Sequence, residues 1–161
     1  MKRPFGIETA GTGNVTVLCV SPSHADGVSL QRIFYESGWG VYTNSKWTLI
    51  ARTALDSAFS ILREAPVPIV ICEGDLSPGT WQEMLEYISL LPDPPLLIVI
   101  SRLADDRLWA EALNLGAYDV LAKPFDAAEV IRIVSLAWRH WQDRHDLHCV
   151  RTRQRMAAVG A

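Results

Sequence analysis

Five short hydrophobic runs, apolar at nearly every position and not at every second one, set the strongest limit on what this chain can become. They are "VTVLCV" (15–20), "WTLIAR" (47–52), "VPIVIC" (67–72), "LLIVIS" (96–101) and "YDVLA" (118–122). Alternation would mark strands with one wet face, whereas continuous apolar runs mark strands covered on both faces, as in a parallel sheet between helices.

Helical patterns separate the runs. In "HADGVSLQRIFYES" (24–37) Val28, Leu30, Ile33 and Phe34 suggest one buried face, and in "TALDSAFSILREA" (53–65) Thr53 and Asp56 have capping-box spacing above a stripe of Leu55, Ala58, Phe59 and Leu62. "WQEMLEYISLL" (81–91) runs into the breaker Pro92-Asp93-Pro94-Pro95, "DDRLWAEALNLG" (105–116) ends on glycine, and Asp126 is a natural N-cap for "DAAEVIRIVSLAWRHW" (126–141). The order is five β/α repeats. Right-handed crossovers turn it into a doubly wound, flavodoxin-like parallel sheet in three α/β/α layers, with strand order 2-1-3-4-5.

In such a sheet the crevice opens at the carboxyl ends of strands 1 and 3, where successive crossovers pass to opposite faces. The third run stops there on a carboxylate, in "CEGD" (72–75). The other walls are Ser21-Pro22-Ser23, Ser101-Arg102 and Lys123-Pro124.

The 161 residues suffice for one domain with a real core, and the expected boundaries are a disordered segment at 1–13, the domain at 14–142 and a basic extension at 143–161. The formal charge of −3 is unevenly spread: residues 139–161 carry five arginines against two aspartates, over an acidic body. No segment approaches the roughly 18 apolar residues of a membrane span, and no signal-peptide stretch follows the first residues. Cys19, Cys72 and Cys149 form no spaced framework, so a cytoplasmic location is expected. The segment "GWGVYTNSK" (38–46) is longer than the fold requires and reads as a loop or hairpin-like excursion.

The lead-in "NLGAYDVLAKPF" (114–125), together with the five alternating units, resembles the receiver domain of bacterial response regulators (CheY-like) over about residues 14–140. That resemblance implies a module that takes a phosphoryl group on an aspartate ending strand 3, with Mg²⁺ held by an acidic pair after strand 1. Glu73 occupies the phosphoacceptor position. Ser21 and Pro22 stand where the acidic pair would be, and neither supplies a carboxylate for a hard cation. Ser101 and Lys123 match the family's hydroxyl and lysine, whereas Val120 stands at the aromatic switch position, with Tyr118 two residues away.

The expectation is a degenerate receiver, not an enzyme, that binds no Mg²⁺ and in which Glu73 is a fixed carboxylate paired with Lys123. The longer side chain would also imitate the phosphorylated state. Asp26 reads as too far into the first helix to replace the lost pair, and Asp75 as the remaining residue through which phosphorylation could survive. A small-ligand binder using Ser21, Glu73 and Ser101 is the alternative from another class.

The expected partner is a signalling protein, a histidine kinase or an effector, with a homodimer through the fourth helix, fifth strand and fifth helix as a further mode. Trp109, Tyr118, Trp138 and Trp141 are the candidate interface residues on that surface. Trp138 packing on the sheet and Trp141 covering the helix end is the equally weighted structural reading. His140, His145, His148 and Cys149 lack a zinc-site spacing and read as solvated helix, with His145 and Cys149 on one face. Four arginines in the tail do not make a nucleic-acid fold, and the tail is expected as a solvated, partly frayed extension.

Overall fold

The computed structural model describes residues 14–37 and 46–160. The expected disordered segment at 1–13 and nearly all of the excursion at 38–46 lie outside these residues. In chain order the elements are β1 (Asn14–Val20), α1 (His24–Glu36), β2 (Lys46–Arg52), α2 (Leu55–Glu64), β3 (Ile69–Glu73), α3 (Trp81–Ser89), β4 (Leu96–Ser101), α4 (Asp106–Leu115), β5 (Asp119–Ala122) and α5 (Ala127–Val159).

All strand pairings are parallel and the order is β2-β1-β3-β4-β5. Every residue of β3 and β4 is buried, as their unbroken apolar sequences require, whereas the edge strand β2 is only partly covered. Successive side chains of a strand point to opposite faces, so the sheet carries two cores. On one side Leu18, Val70, Val99 and Val120 meet Ala58 and Leu62 of α2, Met84 and Ile88 of α3 and Ala112 of α4. On the other, Val17, Ile71, Ile98 and Leu121 meet Leu30 and Phe34 of α1 and Val130, Ile133 and Val134 of α5. Each fully buried aliphatic side chain contributes roughly 1.5–3 kcal/mol, which makes this double-sided sheet the dominant stabilising feature.

Two local expectations are corrected. Val28 is 53% exposed. The buried face of α1 is instead Asp26, Gly27, Leu30 and Phe34, because a side chain at Gly27 would bring its Cβ to 3.0 Å from that of Ala51 and the helix uses this gap to close on β2. Thr53 does not cap α2, whose N-cap is Ala54 without a side-chain hydrogen bond. The caps at Asp126, Asp105 and Thr80 are made by their side chains, and α4 ends on Gly116 at φ 110°.

The extension is ordered into α5, which continues for 33 residues to Val159. No glycine or proline interrupts it, and its commonest residues are Arg and Ala, which favour helix. Its midpoint is tied down where Arg144 Nη2 donates to the Pro94 carbonyl at 3.3 Å and His145 Nδ1 lies 3.4 Å from Asp93 Oδ1. Among the described residues no helix is long and apolar enough to cross a membrane.

Candidate functional site

The carboxyl end of the sheet is held by single backbone hydrogen bonds that carry the ladder one step past the strands. The Ser21 amide donates to Arg52 O (3.0 Å), Gly74 to Ile100 O (2.8 Å) and Lys123 to Ser101 O (3.0 Å). These bonds aim the first residues of three loops at one crevice.

Glu73, the last residue of β3, is 6% exposed. Its Oε2 accepts a hydrogen bond and ion pair from Lys123 Nζ, as expected, and its Oε1 accepts from the Asp75 amide at 3.2 Å. The same ammonium donates to Asp26 Oδ2 at 2.9 Å. Asp26 Oδ2 also accepts from the Ser21 hydroxyl at 2.7 Å, and the Ser21 oxygen in turn accepts from the Ser23 amide at 3.1 Å. The result is a chain of contacts, Ser21 to Asp26 to Lys123 to Glu73, drawn from the loop after β1, from α1, from the loop after β5 and from the end of β3.

Asp26, read from the sequence as too far into the first helix to replace the lost acidic pair, is thus brought into the crevice. A carboxylate three residues beyond Ser23 sits in the first turn of α1, whose amino end rests on the crevice rim, and the close approach at Gly27 presses that turn inward. The Ser-x-x-Asp spacing was the available signal, since it places an acidic side chain in a helix's first turn.

Burial acts to lower the Lys123 pKa, but the hydrogen bonds to Glu73 and Asp26 and the two negative charges outweigh it, and the ammonium titrates above the ordinary lysine value. Cys19 lies close by on β1. Its thiol is pushed up to about 12, mainly by burial and then by the Asp26 charge, against the opposing pull of Lys123. The Cys72 thiol is raised as well, by burial first and then by Cys19 and Glu73. Both thiols are inert in this state.

The remaining candidates fall into two groups. Ser101 is buried at the crevice, where its hydroxyl oxygen accepts from the Leu103 amide at 3.1 Å and its Cβ side borders Gly74. Pro22 and Asp75 are exposed, and the Asp75 carboxylate makes no ion pair or hydrogen bond among the described residues. Val120 is 1% exposed and belongs to the core facing α2, α3 and α4.

Tyr118 is half-buried on the α5 side, its ring 5.8 Å from that of His140. Its hydroxyl pKa is raised by burial and by Asp119, with Arg132 opposing. Trp109 is half-buried against the opposite core. Trp138 meets Trp47 edge-on at 6.2 Å and stacks on Trp141 at 5.6 Å, and Trp141 stacks on His145 at 4.9 Å. Much of both indole surfaces is therefore used inside the fold. His145 and Cys149 do share a face, with Nε2 and Sγ 3.9 Å apart.

No protein-family model matches the chain, and no curated protein does. Solved structures do. A signal receiver domain of an HD domain-containing protein from Pseudomonas fluorescens Pf-5 is similar at 22% identity and TM-score 0.69, over 82% of this chain and 92% of that one. The signal receiver domain of a putative LuxO repressor protein from Vibrio parahaemolyticus is similar at 16% identity and TM-score 0.71, over 83% and 97%. The beryllofluoride-activated NtrC4 receiver domain dimer is similar at 22% identity and TM-score 0.67, over 78% and 98%. The fold is therefore that of CheY-like receiver domains, with the strand order and the five flanking helices expected of it.

Proposed function

We propose that this chain is a degenerate receiver module of bacterial two-component signal transduction, one that keeps a permanent ion network where proteins of this fold accept a phosphoryl group. It works by docking to a protein partner in the cytoplasm, a histidine kinase or an effector, and it is not an enzyme. The observation that carries the reading is the sharing of Lys123 Nζ between two carboxylates, Asp26 and Glu73, with Ser21 closing the chain of contacts.

The donor set fits Mg²⁺ poorly. That ion requires near-octahedral oxygen ligands and a carboxylate free to face it. Here the two buried carboxylates already converge on one ammonium, Ser21 is spent on Asp26, and among the described residues no cluster of three His, Cys, Asp or Glu joins them. A cation would have to displace Lys123 from a site where its removal leaves charges unpaired. Asp75 offers little substitute, since only its backbone amide is turned to Glu73.

The longer Glu73 side chain brings a fixed negative charge against Lys123, which supports a conformation held in one state and not switched. A homodimer through α4, β5 and α5 remains a mode of partnership within this reading, and a receiver of the same fold is known as a dimer.

The test is incubation of the full chain with Mg²⁺ and acetyl phosphate, followed by intact-mass measurement. No added phosphoryl group is expected. A stoichiometric acyl phosphate overturns the reading, and finding it on Asp75 would favour the phosphorylatable alternative.

A further inference from the structure

We infer that the outer half of α5 is a self-association helix that pairs antiparallel with the same segment of a second copy of this chain. At 1.5 Å per residue α5 is about 50 Å long. From Asp146 to Val159 every residue is exposed, so this stretch of helix extends beyond the core of its own domain. An isolated helix of that length is marginal in water, and tertiary or quaternary packing normally supplies what propensity does not.

One stripe of this helix is available for packing. His140, Asp143, Leu147, Val150, Gln154 and Ala157 recur at alternating steps of three and four, which places them along one face, and all are exposed. Leu147 is 58% and Val150 49% exposed, and Leu136, 44% exposed, continues the stripe toward the domain. The face on which His145 stacks against Trp141 and approaches Asp93 is turned the other way. The domain therefore holds one side of the helix and leaves the stripe open from Val150 outward, while His140 lies beside the Tyr118 ring and Leu147 borders a groove against Pro92 and Pro94.

Charge selects the partner and its direction. Asp143 and Asp146 open the extension, and Arg151, Arg153 and Arg155 close it. The one arginine at the acidic end, Arg144, is turned to the Pro94 carbonyl. A parallel, in-register pair would set Asp143 against its own copy on the seam, a repulsive contact. An antiparallel pair with its two-fold axis between His148 and Cys149 sets Leu147 against Val150 of the second copy and Asp143 against Gln154. It also sets Asp146 on the same flank of the seam as Arg153 of the second copy, within two residues of level. The acidic end of each helix then lies on the basic end of the other, and the small side chains of Ala157 and Ala158 pass close to the flank of the domain.

Sedimentation equilibrium of the full chain tests this. The mass should rise with concentration from 17.9 kDa toward twice that value. Leu147→Glu should weaken the dimer at least tenfold, and because the residue is exposed the domain itself should stay folded, with unchanged near-ultraviolet circular dichroism. Asp146→Arg should weaken it several-fold, and adding Arg153→Asp to the same chain should restore it. In a Cys149→Ala background, Leu147→Cys and Val150→Cys chains mixed with a mild oxidant should couple to each other faster than either couples to itself. A chain that stays monomeric, a dimer indifferent to Leu147→Glu, or cysteine variants that couple to themselves faster than to each other would overturn the inference.

Discussion

Lys123 Nζ and Asp26 Oδ2 lie 2.9 Å apart although 97 positions separate them in the chain. The contact ties the first turn of α1 to the loop after β5, across a crevice whose third member is Glu73. Since the Lys123 side chain is 11% exposed and its two partners 10% and 7%, the three charges share a poorly hydrated site.

Removing the cation should therefore cost more than removing either anion. Lys123→Met leaves two buried carboxylates facing each other and is expected to destabilise the domain by about 3–5 kcal/mol in urea unfolding. Glu73→Gln leaves Lys123 paired with Asp26 and should cost clearly less. In the double variant the losses should fail to add, and strict additivity would mean the two residues do not interact.

Stability should fall on the alkaline side in two stages. The Cys19 thiol, at about 12, stays protonated in the fold while an unfolded thiol ionises near 8.5–9, so its contribution is present below that range and declines above it. Lys123, raised above its ordinary value, contributes fully below about 10.4 and loses that contribution as pH climbs through its folded pKa. Unfolding free energies measured from pH 8 to 12 should steepen in the upper part of the range. In Lys123→Met the first stage should persist and the second should shrink to the part that the raised Tyr118 hydroxyl contributes.

The cysteines give a simpler readout of the same burial. Cys149 is exposed, whereas Cys19 and Cys72 are buried. A chromogenic disulfide reagent should titrate one thiol per native chain rapidly and the other two only in denaturant.

Gly79 and Gly116 separate backbone strain from steric collision. Both have positive φ, 92° and 110°. A Cβ at Gly116 meets nothing within 4 Å, so Gly116→Ala should cost about 1–2 kcal/mol from conformation alone. A Cβ at Gly79 would collide with Leu55, so Gly79→Ala should cost more, and equal losses in thermal unfolding would discount the collision.

The aromatic row along α5 should also be measurable. Trp138 is held between Trp47 and Trp141, and Trp138→Ala should cost about 3 kcal/mol and reduce the near-ultraviolet circular dichroism from the coupled indoles.

Much of this molecule could be read without coordinates, because the information was local. Runs such as Leu96–Ser101 are apolar at every position before their end, and only a strand covered on both faces suits them, so strand positions, parallel order and the location of the crevice followed from pattern and handedness. Glu73 opposite Lys123 also followed, since both sit at strand ends that the topology brings together. The buried face of α1 did not follow. Val28 has the hydrophobicity to be core, yet the space available at Gly27 decides the helix's rotation, and that space exists only once Ala51 of β2 is in place. The same rotation turns Asp26 into the crevice, where Ser21 and Lys123 receive it. Hydrophobic periodicity acts between near neighbours and is written along the chain, whereas the partner of a buried charge is set by which distant backbones approach closely enough to exclude water, and only the folded tertiary structure decides that.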